Sequence, residues 1–284
     1  MKFNNVIIDI TSGKEREFYH LDHTSFININ IDGIEDGESS FKECRYIEVN
    51  DSYFNLRYPF WHCYDIVLKN VKATENCRAA FWYCRDIYIK NMVSFGVKAF
   101  RECEDVLLID SEFTSDEIGW RCEAFSINNS KITSKYGFFE SKRISIDNLK
   151  YYGKYSFQYI EDSIIVNSYL DTKDAFWHAK NVIVKDSTII GEYLGWYSEN
   201  LTLVNCHIKG IQPLCYCKNL KLVDCTFEDA DLAFEYSEVN GNIKSDIISI
   251  KNPIRGELEI FSVGEYIQDE NSRNDGFILK PNKK

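Results

Sequence analysis

Proline is scarce in these 284 residues, at four, and methionine stands at only two. A chain poor in Pro and rich in β-branched and aromatic residues favours strands over helices. No run of Lys or Arg is long enough to act as a phosphate-binding stripe, and 33 Lys and Arg against 44 Asp and Glu leave a formal charge of −11. Nucleic acid and anionic membrane are therefore not expected as partners. No uninterrupted apolar run approaches ~18 residues, so no transmembrane helix is expected. The opening stretch from Met1 to Ile10 lacks the long apolar region of a signal peptide. With ten Cys, that points to a reducing cytosol, a cytoplasmic chain and mostly free thiols. Neither a nucleophile elbow, a dinucleotide or phosphate loop, nor a metalloprotease motif occurs, and no cofactor is expected.

What the chain does have is a repeat. With Phe41 as position zero of a coil, equivalent positions fall at Phe60, Phe81, Phe100, Gly119, Phe138, Phe157, Phe176, Gly195, Leu214 and Phe234, with Leu21 as a weaker first member. Most steps are 19 residues and the rest 20 or 21. At offset six stand Ile47, Ile66, Ile87 and Val106 among others, and at offset eight Val49, Leu68, Ile89, Leu108, Ile127, Ile146, Ile165, Val184, Leu203 and Leu222. A spacing of two between inward apolar positions is a strand period. Offset ten is Asn or Asp in every coil from Asp51 to Asp224, residues that bond nearby backbone and tolerate a left-handed bend. Stacked coil on coil, they predict a hydrogen-bonded ladder. Offset eleven is small, as at Ser52, Ser111, Ser130, Ser168, Ser187, Cys206 and Cys225.

A 19-residue unit that already holds three short strands has no room for a helix. The pattern predicts an all-β, single-stranded right-handed parallel β-helix, a solenoid of about 12 coils, roughly 55–60 Å long at sheet spacing. Residues 1–284 form one domain in this reading: 1–20 an N-terminal cap, 21–245 the repeat coils, 246–284 C-terminal strands and tail. Leucine-rich repeats share part of the pattern, but their period is longer and their Asn lies one residue later. Pentapeptide coils would need an inward residue every five.

Offsets one and two are free to hold polar residues and so face outward. All five Trp occupy offset one: Trp61, Trp82, Trp120, Trp177 and Trp196, with Arg101 in another coil. Offset two holds His62, Tyr83, His178 and Tyr197 among others. Aromatic rings with polar tips suit a glycan or a protein partner. The same stack would also simply stabilise neighbouring rungs. The leading expectation is a non-catalytic binding or scaffold protein.

Two alternatives stand beside it. One is a carbohydrate-active enzyme, a glycoside hydrolase or polysaccharide lyase, working at Glu102, Arg121 and Glu140. The two glutamates lie two rungs apart, roughly 9–10 Å, near the spacing of inverting glycosidases. A salt-bridge ladder explains the same trio, and an arginine between carboxylates would lower both pKa values. The other is a homo-oligomeric module joined through outward apolar residues Ile164, Val166, Ile183, Val204 and Val223, a strip that the C-terminal segment or another subunit should cover.

No metal site is expected. His62 and His178 are six rungs, about 30 Å, apart, and His20 and His23 sit in the cap without an evident partner. Cys44, Cys63, Cys84, Cys103 and Cys122 fill offset three in successive coils, a straight column that cannot close a tetrahedron around one ion. It reads as an inward thiol stack. Cys77 falls in a longer loop, and Cys215, at the outward offset one, is the candidate reactive thiol.

The strings Tyr58-Pro-Phe-Trp-His-Cys63, Ala80-Phe-Trp-Tyr-Cys84, Asp174-Ala-Phe-Trp-His178, Gly191-Glu-Tyr-Leu-Gly-Trp196, Leu201-Thr-Leu-Val-Asn-Cys206 and Leu232-Ala-Phe-Glu-Tyr-Ser237 resemble an uncharacterised bacterial family, a domain of unknown function. The resemblance runs from about Gly13 to Glu270. It implies a pectin-lyase-like β-helix and carries no catalytic residue. The calcium-binding Asp cluster of pectate lyases has no match here.

Overall fold

A computed structural model describes residues 2–35 and 37–281. The chain is an all-β parallel solenoid with the predicted repeat, divided into two compact units, Met1–Phe138 and Phe139–Lys284.

In the first unit each coil sets down up to three strands. The short strands Phe60–Trp61, Phe81–Trp82 and Phe100–Arg101 form one parallel sheet. Six-residue strands follow at Arg45–Asn50, Tyr64–Lys69, Arg85–Lys90 and Glu104–Ile109. Their register places Ile47, Ile66, Ile87, Val106 and Phe125 in one column, and Val49, Leu68, Ile89, Leu108 and Ile127 in the next. These are the offset-six and offset-eight residues of the repeat, and all are buried.

The N-terminal segment carries strands of its own. Asn5–Ile8 pairs with Asp22–Ile27, Asn5 opposite Thr24, so residues assigned to a cap follow the same register as the coils. One position is corrected. Phe18, not Leu21, is the equivalent of Phe41: it is buried against Phe41 with ring centroids 5.1 Å apart, and its carbonyl takes the Cys44 thiol as Phe41 takes Cys63. The step between them is 23 residues, longer than 19, so counting back by the repeat stops short of it.

In the second unit, Ile146, Ile165, Val184, Leu203 and Leu222 form the inward column of one face, and Tyr151, Leu170, Ile189, Ile208 and Phe227 that of another. The register shifts between Leu222 and Cys225, and again between Ile243 and Asp246. The strands Val239–Lys251 and Gly256–Ile267 therefore continue the coils out of the earlier phase.

The corners explain the polar repeat. Every offset-ten residue from Asp51 to Asp224 has φ between 49° and 56°, the left-handed region that Asn and Asp tolerate. Their side chains bond from coil to coil: Asn70 Nδ2 to Asp51 Oδ1 at 2.8 Å, Asn91 to Asn70 at 3.1 Å, Asn205 to Asp186 at 2.8 Å. A second ladder runs Asn219 to Asn200 to Asn181 to Asp162, each bond 2.8 Å. The small residues of offset eleven are buried donors as well. Ser168 Oγ donates to Val166 O at 2.7 Å and accepts the Leu149 N–H at 3.1 Å, so this hydroxyl is satisfied inside.

Candidate functional site

All five Trp are half-buried, so they form no fully exposed stripe. Three are fixed by their own N–H. The Nε1 atoms of Trp120, Trp177 and Trp196 donate to the carbonyls of Tyr136, Tyr193 and Gln212, each sixteen residues on, at 3.0, 2.7 and 2.8 Å. Trp61 and Trp82 differ: both Nε1 atoms are shielded from water and have no hydrogen-bond acceptor. The coil from Phe60 to Phe81 has two extra residues, accommodated with a 3-10 turn at Glu75–Cys77. The carbonyl sixteen residues beyond Trp61, that of Cys77, is taken by the Tyr58 N–H at 2.9 Å.

Trp61 and Trp82 line a cavity of about 230 Å³ with Glu38, Tyr58, Phe60 and Ala79. The indoles meet edge to face, 6.3 Å between centroids at 81°. In such a pair at most one edge faces its partner's ring, so a weak N–H···π contact serves at most one of the two donors. Drug-sized sites run to about 300–1,000 Å³; this one is the size of a single ring. Lys42 Nζ lies 5.2 Å from the centre of Trp61, and the Arg101 guanidinium lies 5.5 Å from Trp82 and 5.8 Å from Trp120.

The offset-two residues are outward, as expected, but their rings stack on each other. His62 and Tyr83 are 4.9 Å apart at 11°. Tyr159, His178, Tyr197 and Tyr216 follow at 4.8, 5.0 and 4.7 Å, with planes within 9–11°. Ring faces are used up within the column, so what it turns outward is edges: phenol hydroxyls and imidazole nitrogens. Offset two from Glu43 to Tyr236 is left-handed throughout, φ 51–61°. His20 joins this column at φ 60°, 4.0 Å from Glu43, and His23 stacks on Tyr46 at 4.6 Å.

Glu102 and Arg121 occupy exposed bends of the first unit, on consecutive coils, and Glu140 an exposed bend of the second. A better-buried acid lies elsewhere and was missed in the sequence. Asp174, two residues before Phe176, is only 6% exposed, and its Oδ1 has no partner. Burial pushes its carboxyl up, against the lowering pull of Lys173. Tyr155 and Tyr193 hold the matching place in neighbouring coils, so nothing in the repeat marks an acid there.

The thiol stack is as expected, with a further feature. Each thiol lies against the backbone of the coil below: Cys44 on Phe18 O at 2.9 Å, Cys63 on Phe41 O at 2.8 Å, Cys217 on Gly195 O at 3.2 Å. Ser237 makes the same bond to Leu214 O at 2.7 Å, which explains why Ser replaces Cys at offset three. Burial raises Cys77 and Cys206 to about 12 and Cys217 to about 11. Cys215 is corrected: it is 1% exposed, its sulfur lies 3.5–3.8 Å from the carbonyls of Gln212, Pro213 and Leu232, and burial pushes its thiol up. None of the ten cysteines forms a disulfide, and all are buried.

The apolar strip is interrupted. Ile164 pairs with Ile183 but Ile183 with Thr202, and Lys185 stands between Val166 and Val204. Ile164 and Ile183 remain 42% and 43% exposed, so the described C-terminal strands do not cover them. Among the described residues no helix is long and apolar enough to cross a membrane, and no group of three His, Cys, Asp or Glu is placed to hold a metal ion.

Comparison with known proteins bears on this geometry. Residues 5–278 match the family described as a protein of unknown function, DUF3737. The chain belongs to this family. Among curated proteins, none matches the sequence. Solved structures similar to this family member include PfbA, a surface adhesin of Streptococcus pneumoniae, at 8% identity and TM-score 0.41, covering 94% of this chain and 85% of that one. The periplasmic alginate epimerase AlgG is similar at 12% identity and TM-score 0.27, over 92% and 76%. The catalytic domain of a GH87 alpha-1,3-glucanase in complex with nigerose is similar at 8% and 0.31, over 98% and 63%.

Proposed function

We propose that the chain is a glycan-binding β-solenoid whose site is the Trp61–Trp82 cavity. The observation that carries this is that both indoles lining a ring-sized, largely aromatic cavity have buried N–H groups without acceptors. A buried donor left unpaired costs about 1–3 kcal/mol. A sugar ring supplies acceptor oxygens for such donors once the indoles turn toward it. It also brings an apolar face for Tyr58 and Trp82. The Glu38 carboxylate accepts from a sugar hydroxyl. His62 and Tyr83 sit beside the two indoles, and their outward edges extend the polar rim. The remaining three Trp hold their coils together through their carbonyl bonds.

A glycan array followed by calorimetry on the best ligand tests this. Trp61→Ala and Trp82→Ala are each expected to weaken binding at least ~10-fold, about 1.4 kcal/mol. Trp177→Ala, whose indole is tied to Tyr193 O, is expected to bind like wild type. Unchanged affinity in the Trp61→Ala, Trp82→Ala double variant sinks the proposal.

A second reading, a carbohydrate-active enzyme, is favoured by Asp174 rather than by the exposed Glu102, Arg121 and Glu140. A general acid needs a carboxyl kept protonated by burial. A raised carboxyl opposes folding once it ionises, so Asp174→Asn is expected to raise Tm at pH 7, by roughly 2 °C. That gain should vanish below about pH 4, where the acid is protonated in folded and unfolded chains alike. Thermal melts at pH 3.5, 5 and 7 check the sign. A glycosidase that loses turnover while gaining stability at Asp174→Asn supports the enzyme reading, and unchanged turnover removes this acid.

A further inference from the structure

We infer that the ring in the Trp61–Trp82 cavity belongs to an anionic glycan, one bearing a carboxylate or sulfate. This rests on the proposed site and names its ligand class. The chain carries a formal charge of −11, yet three of the four aromatic side chains that line the cavity have a cation against them. Lys42 lies over Trp61, Arg101 over Trp82, and the Arg57 guanidinium 5.6 Å from the centre of Tyr58.

Arg78 adds a fourth cation. A shallower depression of about 210 Å³ is lined by Arg57 and Arg78 with Asn55, Asn76, Leu56, Gly33 and Glu35. Arg57 links it to the cavity, because its Nη2 holds Glu38 Oε2 at 2.9 Å and Glu38 lines the cavity. The two asparagines are bound to each other, Asn76 Nδ2 to Asn55 Oδ1 at 3.0 Å, and frame the depression. The charge of Glu38 is balanced by Arg57 through Oε2, and Glu43 lies 3.9 Å from Lys42. Among the described residues no ion pair engages Arg78 or Arg101, and Glu35 is the remaining acid on the rim.

The backbone of Arg78 is also strained, at φ 53° and ψ −81°. A non-glycine residue there costs on the order of 1–3 kcal/mol and persists only where its surroundings over-determine it. They do so here. The Arg78 carbonyl accepts two N–H groups, from Val97 and Lys98, both at 2.9 Å. Gly96 makes room, since a Cβ on it would stand 2.8 Å from that oxygen. Cations that merely steady aromatic rings would account for Lys42, Arg57 and Arg101, but not for a strained arginine that makes no ion pair among the described residues. A guanidinium fork matches a carboxylate or sulfate in two-point geometry.

The test is calorimetry on the full chain with three oligosaccharides of equal length: uronate, sulfated and neutral. The acidic sugars are expected to bind at least ~10-fold tighter at 50 mM NaCl, with the advantage shrinking toward 500 mM as the Debye length falls. Whichever of the two acidic arms is tighter identifies the anion. Arg78→Gln is expected to cut the acid-to-neutral ratio severalfold, and Arg78→Lys to retain part of it. Neutral sugars that bind as tightly as acidic ones, or a ratio unmoved by Arg78→Gln in a folded variant, overturn the inference and leave the glycan site standing. No binding of any of the three, with no hit on the array, overturns both.

Discussion

Phe81→Ala is expected to lower the free energy of unfolding by about 3–5 kcal/mol, the range for deleting a buried aromatic ring. Phe81 is fully buried, with Phe60 5.1 Å below at 6° and Phe100 4.7 Å above at 7°. Removing the middle ring strips contact from both neighbours, and rungs held at sheet spacing cannot close the gap. Phe81→Leu should cost much less, because Leu214 fills the same position of its own coil naturally and swaps of similar volume cost under ~1.5 kcal/mol. Each coil of a solenoid touches only its neighbours, so the damage should be local. Urea denaturation gives the magnitude. Amide hydrogen exchange should show protection lost first in the strands Tyr64–Lys69, Arg85–Lys90 and Glu104–Ile109. A loss under about 1 kcal/mol would mean that the ring column contributes little.

That column was legible because apolar residues two apart, repeated every nineteen, leave one way to bury them. The Asn corners were legible for a similar reason: a side chain that favours the left-handed region marks the bend itself. Offset two shows where this fails. Tyr83, His178 and Glu102 have no intrinsic liking for φ above 50°. They are held there by bonds between coils, such as His178 N–H to Trp196 O at 2.9 Å. Those bonds exist only once the stack is formed, so local propensity cannot reveal them. The same holds at the site. A Trp at offset one reads alike in five coils, but whether its N–H finds a carbonyl depends on the path of the next coil, and two extra residues after Trp61 change that path. Cys215 was placed outward by its offset; its side chain is too short to leave the bend and packs against three carbonyls instead.

Gly210→Ala is expected to disrupt the second unit severely, by ~3 kcal/mol or more, because two penalties coincide there. Gly210 has φ 140°, a region closed to side chains, and a Cβ on it would run into the carbonyl of Gly191 in the coil below. Gly191 is itself at φ 150° and rests in the same way on the carbonyl of Thr172. The chain crosses itself at this point with nothing between successive backbones, so an added methyl cannot be met by a rotamer change. It has to lift one coil off the next, and the strand pairs Thr188–His207 and Ile190–Lys209 lie immediately beside it. Gly276→Ala separates the two penalties. Gly276 also has positive φ, 87°, but a Cβ there meets nothing within 4 Å, so only the dihedral cost of about 1 kcal/mol applies. If the two variants melt alike, backbone strain alone accounts for Gly210. A clearly lower midpoint for Gly210→Ala, with early exchange confined to the coils around Gly191 and Gly210, assigns the difference to contact between coils. Spacing between rungs is then the quantity this sequence protects most tightly, and glycine is the residue that protects it where two coils come closest.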